Sequence, residues 1–95
     1  MIKGVTQKEY EIIRSILKDY DGEFFAYGSR VKGDFSELSD LDIMVKSTDY
    51  NKIITELKSR FDNSYLPYVV NFTDFNNIDE KFYNLIKNDL TKIVI

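Results

Sequence analysis

Asp40 and Asp42, separated only by Leu41, are the residues whose type and spacing speak most directly of chemistry. On a strand, residues two apart project from one face, ~6–7 Å apart at the backbone. Their carboxylates repel unless something resolves the charge. A divalent cation does so, and two cations ~3.5–4 Å apart form a known arrangement for displacement at phosphorus. Twelve positions upstream of Asp40, Gly28-Ser29 follows the apolar run Phe24-Phe25-Ala26-Tyr27. Glycine lets a backbone approach a phosphate closely, and the Ser29 hydroxyl and the amides after it can donate to phosphate oxygens. A helical turn opening at Ser29-Arg30-Val31-Lys32 would add free N–H groups to that anion site. Arg30 and Lys32 would place positive charge beside it. Taken alone, each element is more often something plainer: two solvated carboxylates on a strand edge, or a strand-ending turn with a solvated basic pair.

What the chain lacks narrows the chemistry. It contains no cysteine and no histidine, which excludes disulfides, thiol catalysis, the commonest general base and zinc sites built on sulfur or imidazole. A metal must sit among oxygens, which favours magnesium or manganese. A formal charge of −3 argues against an extended nucleic-acid surface and leaves a small molecule or a protein as partner. No apolar run reaches the ~20 residues needed to cross a bilayer. The first residues lack the apolar stretch of a signal peptide, so a cytoplasmic protein without membrane contact is expected. Ninety-five residues with 43% hydrophobic composition predict one globular domain spanning residues 1–95.

The elements that must position these residues follow from periodicity. Thr6 and Glu9 form a capping-box pattern, and Tyr10, Ile12, Ile13, Ile16, Leu17 and Tyr20 recur at helical spacing, which predicts a helix over residues 7–20 with Gly22 as its stop. Residues 23–27 read as a short buried strand. Residues 28–39 carry Gly28, Gly33 and three serines, which is loop chemistry with room for a helical turn. Residues 40–46 alternate: Leu41, Ile43 and Val45 on a buried face, and Asp40, Asp42, Met44 and Lys46 on the other. Asp49 is placed to cap a second helix with Tyr50, Ile53, Ile54, Leu57 and Phe61 inward. Residues 67–73 predict a further strand. Asn77 and Glu80 open a third helix carrying Ile78, Phe82, Leu85 and Ile86 inward, and residues 92–95 a last short strand. The aromatics Tyr65, Tyr68, Phe72 and Phe75 are read as core in preference to a partner surface. Helices alternating with strands imply a sheet covered by helices.

Gly28-Ser29, ten intervening residues, then Asp40-Leu41-Asp42 resembles the signature of the DNA polymerase beta-like nucleotidyltransferase superfamily. Within it, Ala26-Tyr27-Gly28-Ser29-Arg30-Val31-Lys32-Gly33 and Ser39-Asp40-Leu41-Asp42-Ile43 look like the minimal nucleotidyltransferase (MNT) branch. The resemblance implies an α+β (α/β) nucleotidyltransferase fold: a small mixed sheet of about three to four strands with helices packed against it. It implies that Gly28 and Ser29, assisted by Arg30, hold the triphosphate of ATP or another nucleoside triphosphate. Asp40 and Asp42 would bind two Mg2+ ions, and a third carboxylate from the later strand would complete the site. A nucleoside monophosphate is transferred and pyrophosphate released, through positioning and charge neutralisation.

The sequence departs from that pattern at one corner. The third carboxylate lies in a Val-Asp-x-x-Asp-like strand, and the matching stretch here is Val70-Asn71-Phe72-Thr73-Asp74. Asn71 therefore takes the catalytic position. Its amide can coordinate magnesium through oxygen but adds no negative charge and takes no proton at neutral pH. Asp74, three residues along, falls on the opposite face of a regular strand; it reads as a strand-end or helix-flanking acid and would substitute for the missing carboxylate only if the strand ended or bulged first. The resemblance implies two functions. One is transfer of AMP, or another nucleotide, to a hydroxyl on a protein, as the antitoxin of a HEPN-domain ribonuclease toxin. The other is a catalytically weakened nucleotide-binding module that neutralises its partner by contact alone. A small-molecule acceptor would need a pocket domain that this sequence does not display. A homodimer stays open.

Overall fold

The computed structural model describes residues 2–95. Helix α1 (Gln7–Leu17) starts at the expected capping box: the Thr6 hydroxyl accepts from the Glu9 amide, and the Glu9 carboxylate accepts from the Thr6 amide, each at 3.1 Å. It ends three residues earlier than the periodicity predicts. Beyond Leu17 the chain tightens into three-residue turns, with the Asp19 and Tyr20 amides donating to the Ile16 and Leu17 carbonyls. Tyr20 still packs on the core, so its apolar spacing extended the helical pattern past the helix.

Strand β1 (Glu23–Tyr27) leads through a one-turn helix α2 (Ser29–Lys32) and a loop into strand β2 (Leu41–Lys46). Helix α3 (Tyr50–Asp62) is the crossover that a parallel neighbour requires, and strand β3 (Val70–Asp74) follows it. A 3-10 turn (Phe75–Asn77), helix α4 (Glu80–Ile86) and strand β4 (Thr91–Lys92) complete the described chain. The architecture is α+β, with a four-stranded mixed sheet in the order β3-β2-β1-β4. β1 runs antiparallel to both β2 and β4, while β2 and β3 are parallel.

One face of the sheet carries the core. Phe24, Ala26, Leu41, Ile43, Val45 and Val70 pack with Ile13, Ile16 and Leu17 of α1 and Leu57 and Phe61 of α3. The other face is thinner, and it departs from expectation at Met44. Placed on the solvent side by alternation, Met44 is fully buried. The reason lies in Tyr27, whose hydroxyl is 2.8 Å from Thr73 Oγ1. Tyr27 pairs with Asp42, and Thr73 pairs with Met44, so the phenol reaches across β2 from β1 to β3. Phe82 of α4 meets the Tyr27 ring edge-on at 6.1 Å.

Other boundaries shift for identifiable reasons. Asp49 stands at the start of α3 but makes no side-chain cap; its amide donates to Ser47 Oγ instead, at 3.1 Å. β3 begins after the bend at residues 67–68, although the ladder already includes the Val69 carbonyl, which accepts from the Leu41 amide at 2.9 Å. α4 is capped by Asp79, whose carboxylate accepts from the Phe82 amide at 2.7 Å. No α4 residue is fully buried, and Leu85, expected inward, is 72% exposed. β4 is shorter than predicted, yet the Ile93 amide still donates to the Phe24 carbonyl at 2.8 Å. Of the four aromatics read as core, Tyr68 and Phe72 pack against it, whereas Tyr65 is 96% exposed.

Candidate active site

The β1–α2 junction and the entry to β2 lie side by side because β1 and β2 are antiparallel partners: the end of one strand meets the start of the other, with Tyr27 opposite Asp42. Parallel pairing of β2 with β3 then sets Asn71 opposite Asp42. Residues from three parts of the sequence thus converge at one end of the sheet.

Gly28 adopts φ 89°, ψ −162°, a region essentially restricted to glycine. A Cβ there would sit 2.5 Å from Asp42 Oδ2, so the glycine lets the turn and the carboxylate share one small space. After it α2 closes quickly. The Gly28 carbonyl accepts from the Val31 and Lys32 amides, and the Ser29 carbonyl from the Gly33 and Asp34 amides. As the first residues of that turn, Ser29 and Arg30 have amides without a partner inside it. Among the described residues the Ser29 hydroxyl is in no side-chain hydrogen bond.

Asp40, Asp42 and Asn71 come together as the sequence predicts. The Asn71 amide Nδ2 donates to Asp40 Oδ2 at 2.9 Å and, more weakly, to Asp42 Oδ1 at 3.4 Å. It therefore bridges two groups that would otherwise repel. Burial pushes the Asp42 carboxyl above its ordinary pKa; the Asn71 hydrogen bond opposes the shift, and the charge on Asp40 adds to it. No group of three His, Cys, Asp or Glu side chains that could hold a metal ion occurs among the described residues. The donor set at this corner is two carboxylates and one amide. Oxygen donors of this kind suit a hard divalent cation, with coordination positions left for phosphate oxygens and water. Asp74 lies outside the cluster; its carboxylate caps the 3-10 turn, accepting from the Asn76 amide at 3.0 Å.

Arg30 has a different place from the one expected. The resemblance places it on the triphosphate, but it is 4% exposed. Its guanidinium donates to four backbone carbonyls: Nε to Ser39 at 2.7 Å, Nη1 to Gly4 at 2.7 Å, and Nη2 to Glu37 at 3.0 Å and Ser36 at 3.4 Å. With five N–H donors in all, at most one is left for a phosphate oxygen. Lys32, on the same turn, remains half-exposed in an ion pair with Asp89 at 3.6 Å.

Tyr27, part of the motif but given no role by it, is a further neighbour of the site. Burial raises its phenol pKa, the Thr73 hydrogen bond opposes this, and the Asp42 charge raises it further. Its position directly before Gly28 was the available signal, since a strand's last side chain stands beside whatever the turn binds.

The geometry agrees with two likenesses to known proteins. The model of the nucleotidyltransferase domain family matches residues 10–94. The chain is also 32% identical over 87 residues to a protein of Haemophilus influenzae described as probable protein adenylyltransferase MntA, an alignment covering 87% of this chain and 76% of that protein. Both likenesses enclose the Gly28-Ser29 turn and the aspartate pair, and on these grounds the chain belongs to the nucleotidyltransferase domain family, a family of nucleotide transferases.

Proposed function

We propose that this chain transfers AMP from ATP to a hydroxyl group on a protein, and does so as the antitoxin of a HEPN-domain ribonuclease toxin. The observation that carries the proposal is the convergence of Asp40, Asp42 and Asn71 against Gly28. A relative described as a probable protein adenylyltransferase supports the choice of acceptor. In the reaction the acceptor oxygen attacks the α-phosphorus and forms the new P–O ester. The bond from that phosphorus to the bridging oxygen breaks, and pyrophosphate leaves with the bonding electrons. Gly28, Ser29 and the first amides of α2 would hold the phosphates. Asp40 and Asp42, with the Asn71 oxygen after rotation of its amide, would hold Mg2+. Bound there, that cation would neutralise charge on the phosphate oxygens. The two carboxylates are the groups at the site able to receive the acceptor's proton, because Asn71 cannot.

A specific observation favours a second function, inhibition of the partner by contact alone. Asn71 supplies neither the charge nor the basicity of a third carboxylate. One experiment separates the two. The purified chain is incubated with labelled ATP, Mg2+ and the product of the neighbouring gene, and label is sought on that protein. Transfer predicts labelling that Asp40→Ala or Asp42→Ala lowers by more than the ~10–100-fold typical of outer-shell changes. A tight complex without label would overturn transfer and leave contact.

A further inference from the structure

Arg30 is a cation enclosed by the fold that forms no ion pair among the described residues. Enclosing an unpaired charge is unfavourable unless dipoles compensate it. Here four carbonyls do so, helped by two aromatic rings, Tyr68 with its centroid 3.8 Å from the guanidinium carbon and Phe35 at 5.2 Å. The identity of those partners is informative. Ser36, Glu37 and Ser39 belong to the loop that delivers Asp40, and the Ser39 carbonyl is part of the peptide joining Ser39 to Asp40. Tyr68 lies three residues before Asn71. Gly4 returns the contact, its amide donating to the Arg30 carbonyl at 2.9 Å, and a Cβ at position 4 would stand 2.8 Å from the Arg30 Cβ.

Asp40 is held on one side by this Arg30 anchor and on the other by the ladder, where the Leu41 amide donates to the Val69 carbonyl at 2.9 Å. The Asp40 side chain is exposed, and among the described residues its carboxylate is held only by the exposed Asn71 amide. The loop before Asp40 has three internal hydrogen bonds between Ser36 and Ser39, which close it on itself without reaching the Asp40 carboxylate. We propose that Arg30 is the positioning residue of this site: its planar guanidinium sets where Asp40 stands relative to Asp42 and Asn71 and does not itself bind the triphosphate. Lysine cannot replace it, because an ammonium has no fork of fixed donors to span three loop carbonyls. This inference rests on Asp40 and Asp42 holding a cation with the nucleotide.

The test is Mn2+ affinity, measured by electron paramagnetic resonance with a non-hydrolysable ATP analogue present. The chains are the parent, Arg30→Lys, Tyr68→Leu and each of these combined with Asp40→Asn, with folding verified by circular dichroism and thermal unfolding. Arg30→Lys is expected to weaken Mn2+ binding by about ten- to a hundredfold, and to add almost nothing once Asp40→Asn is present. Such non-additivity marks action through Asp40. A direct phosphate ligand gives additive losses, and a purely structural role lowers the melting temperature while leaving the affinity of the folded variant intact; either result overturns the proposal. Tyr68→Leu keeps the four hydrogen bonds and removes the ring beneath the guanidinium, so it should give a smaller loss with the same dependence on Asp40. Should Arg30→Lys not fold, an unchanged affinity in folded Tyr68→Leu overturns the proposal by itself. If the parent chain takes up no Mn2+, the cation site itself fails. If the parent binds and both variants bind equally well, only the positioning role fails.

Discussion

At the scale of single residues, Asn71 has two opposed effects. Without a cation its amide bridges Asp40 and Asp42; with one, it supplies less charge than a carboxylate would. Asn71→Asp should therefore change sign with conditions. In EDTA the variant loses the bridging donors and gains a third negative charge, lowering stability by about 1 kcal/mol. In saturating Mg2+ the tighter-bound cation stabilises the folded state by mass action. Thermal unfolding under both conditions should place the variant below the parent in EDTA and above it in Mg2+; the same order in both would show that no cation binds at this corner. Gly28→Ala faces two obstacles at once, a glycine-only backbone conformation and a Cβ 2.5 Å from Asp42 Oδ2. A loss of about 1–3 kcal/mol is expected from strain, together with weakened Mn2+ binding as Asp42 is displaced. Full cation affinity in a folded Gly28→Ala chain would show that the turn and the Asp42 carboxylate do not compete for one space. The sequence made Gly28, Ser29, Asp40, Asp42 and Asn71 legible because strand pairing converts their spacing directly into proximity. Arg30 was not legible. An arginine after Gly-Ser suits a phosphate as well as a carbonyl, and its actual acceptors are loop backbone atoms that leave no mark on side-chain pattern.

At the scale of elements, rigidity is delivered to the site through α1. Its capping residue Glu9 accepts both from the Thr6 amide and, at 3.2 Å, from the Tyr68 hydroxyl, so the start of the helix is tied to the segment that leads into β3. Burial raises the Tyr68 phenol pKa steeply, and the Glu9 charge adds to the effect, so this hydroxyl stays a donor. Thr6→Ala removes one half of the capping box and should cost about 1 kcal/mol, a fall of roughly 4–8 °C in melting temperature for a chain of this size. Nucleotide affinity should not follow, because the Glu9–Tyr68 bond survives; a parallel fall in affinity would show that the cap itself tunes the site. Elements with local signatures were readable from sequence, among them the capping box, the aromatic strand β1 and the alternation in β2. Met44 and Leu85 were misplaced because their burial depends on which element covers the second face of the sheet. Hydrophobic spacing does not encode that choice.

At the scale of the whole molecule the two faces of the sheet are unequally protected. On one, α1 and α3 enclose Ile13, Leu17, Leu41, Ile43, Val45 and Leu57 completely. On the other, α4 has no fully buried residue and meets the sheet through the edge contact of Phe82 with Tyr27. Segments with few buried apolar contacts open locally at free energies below that of global unfolding. Amides of residues 84–86, whose hydrogen bonds depend on α4 staying wound, should therefore exchange with solvent well before those of the β1–β2 ladder. Native-state hydrogen exchange at rising denaturant reads this directly: the α4 amides should merge with the global unfolding line only near the transition, and the β2 amides should follow that line throughout. Because Tyr27 stands between α4 and Asp42, opening of α4 reaches the site through one ring. Tyr27→Leu should accordingly quicken exchange in α4 while leaving the β2 amides on the global line. If α4 and β2 exchange together in the parent chain, the two faces form one cooperative unit and the asymmetry seen in burial has no energetic counterpart.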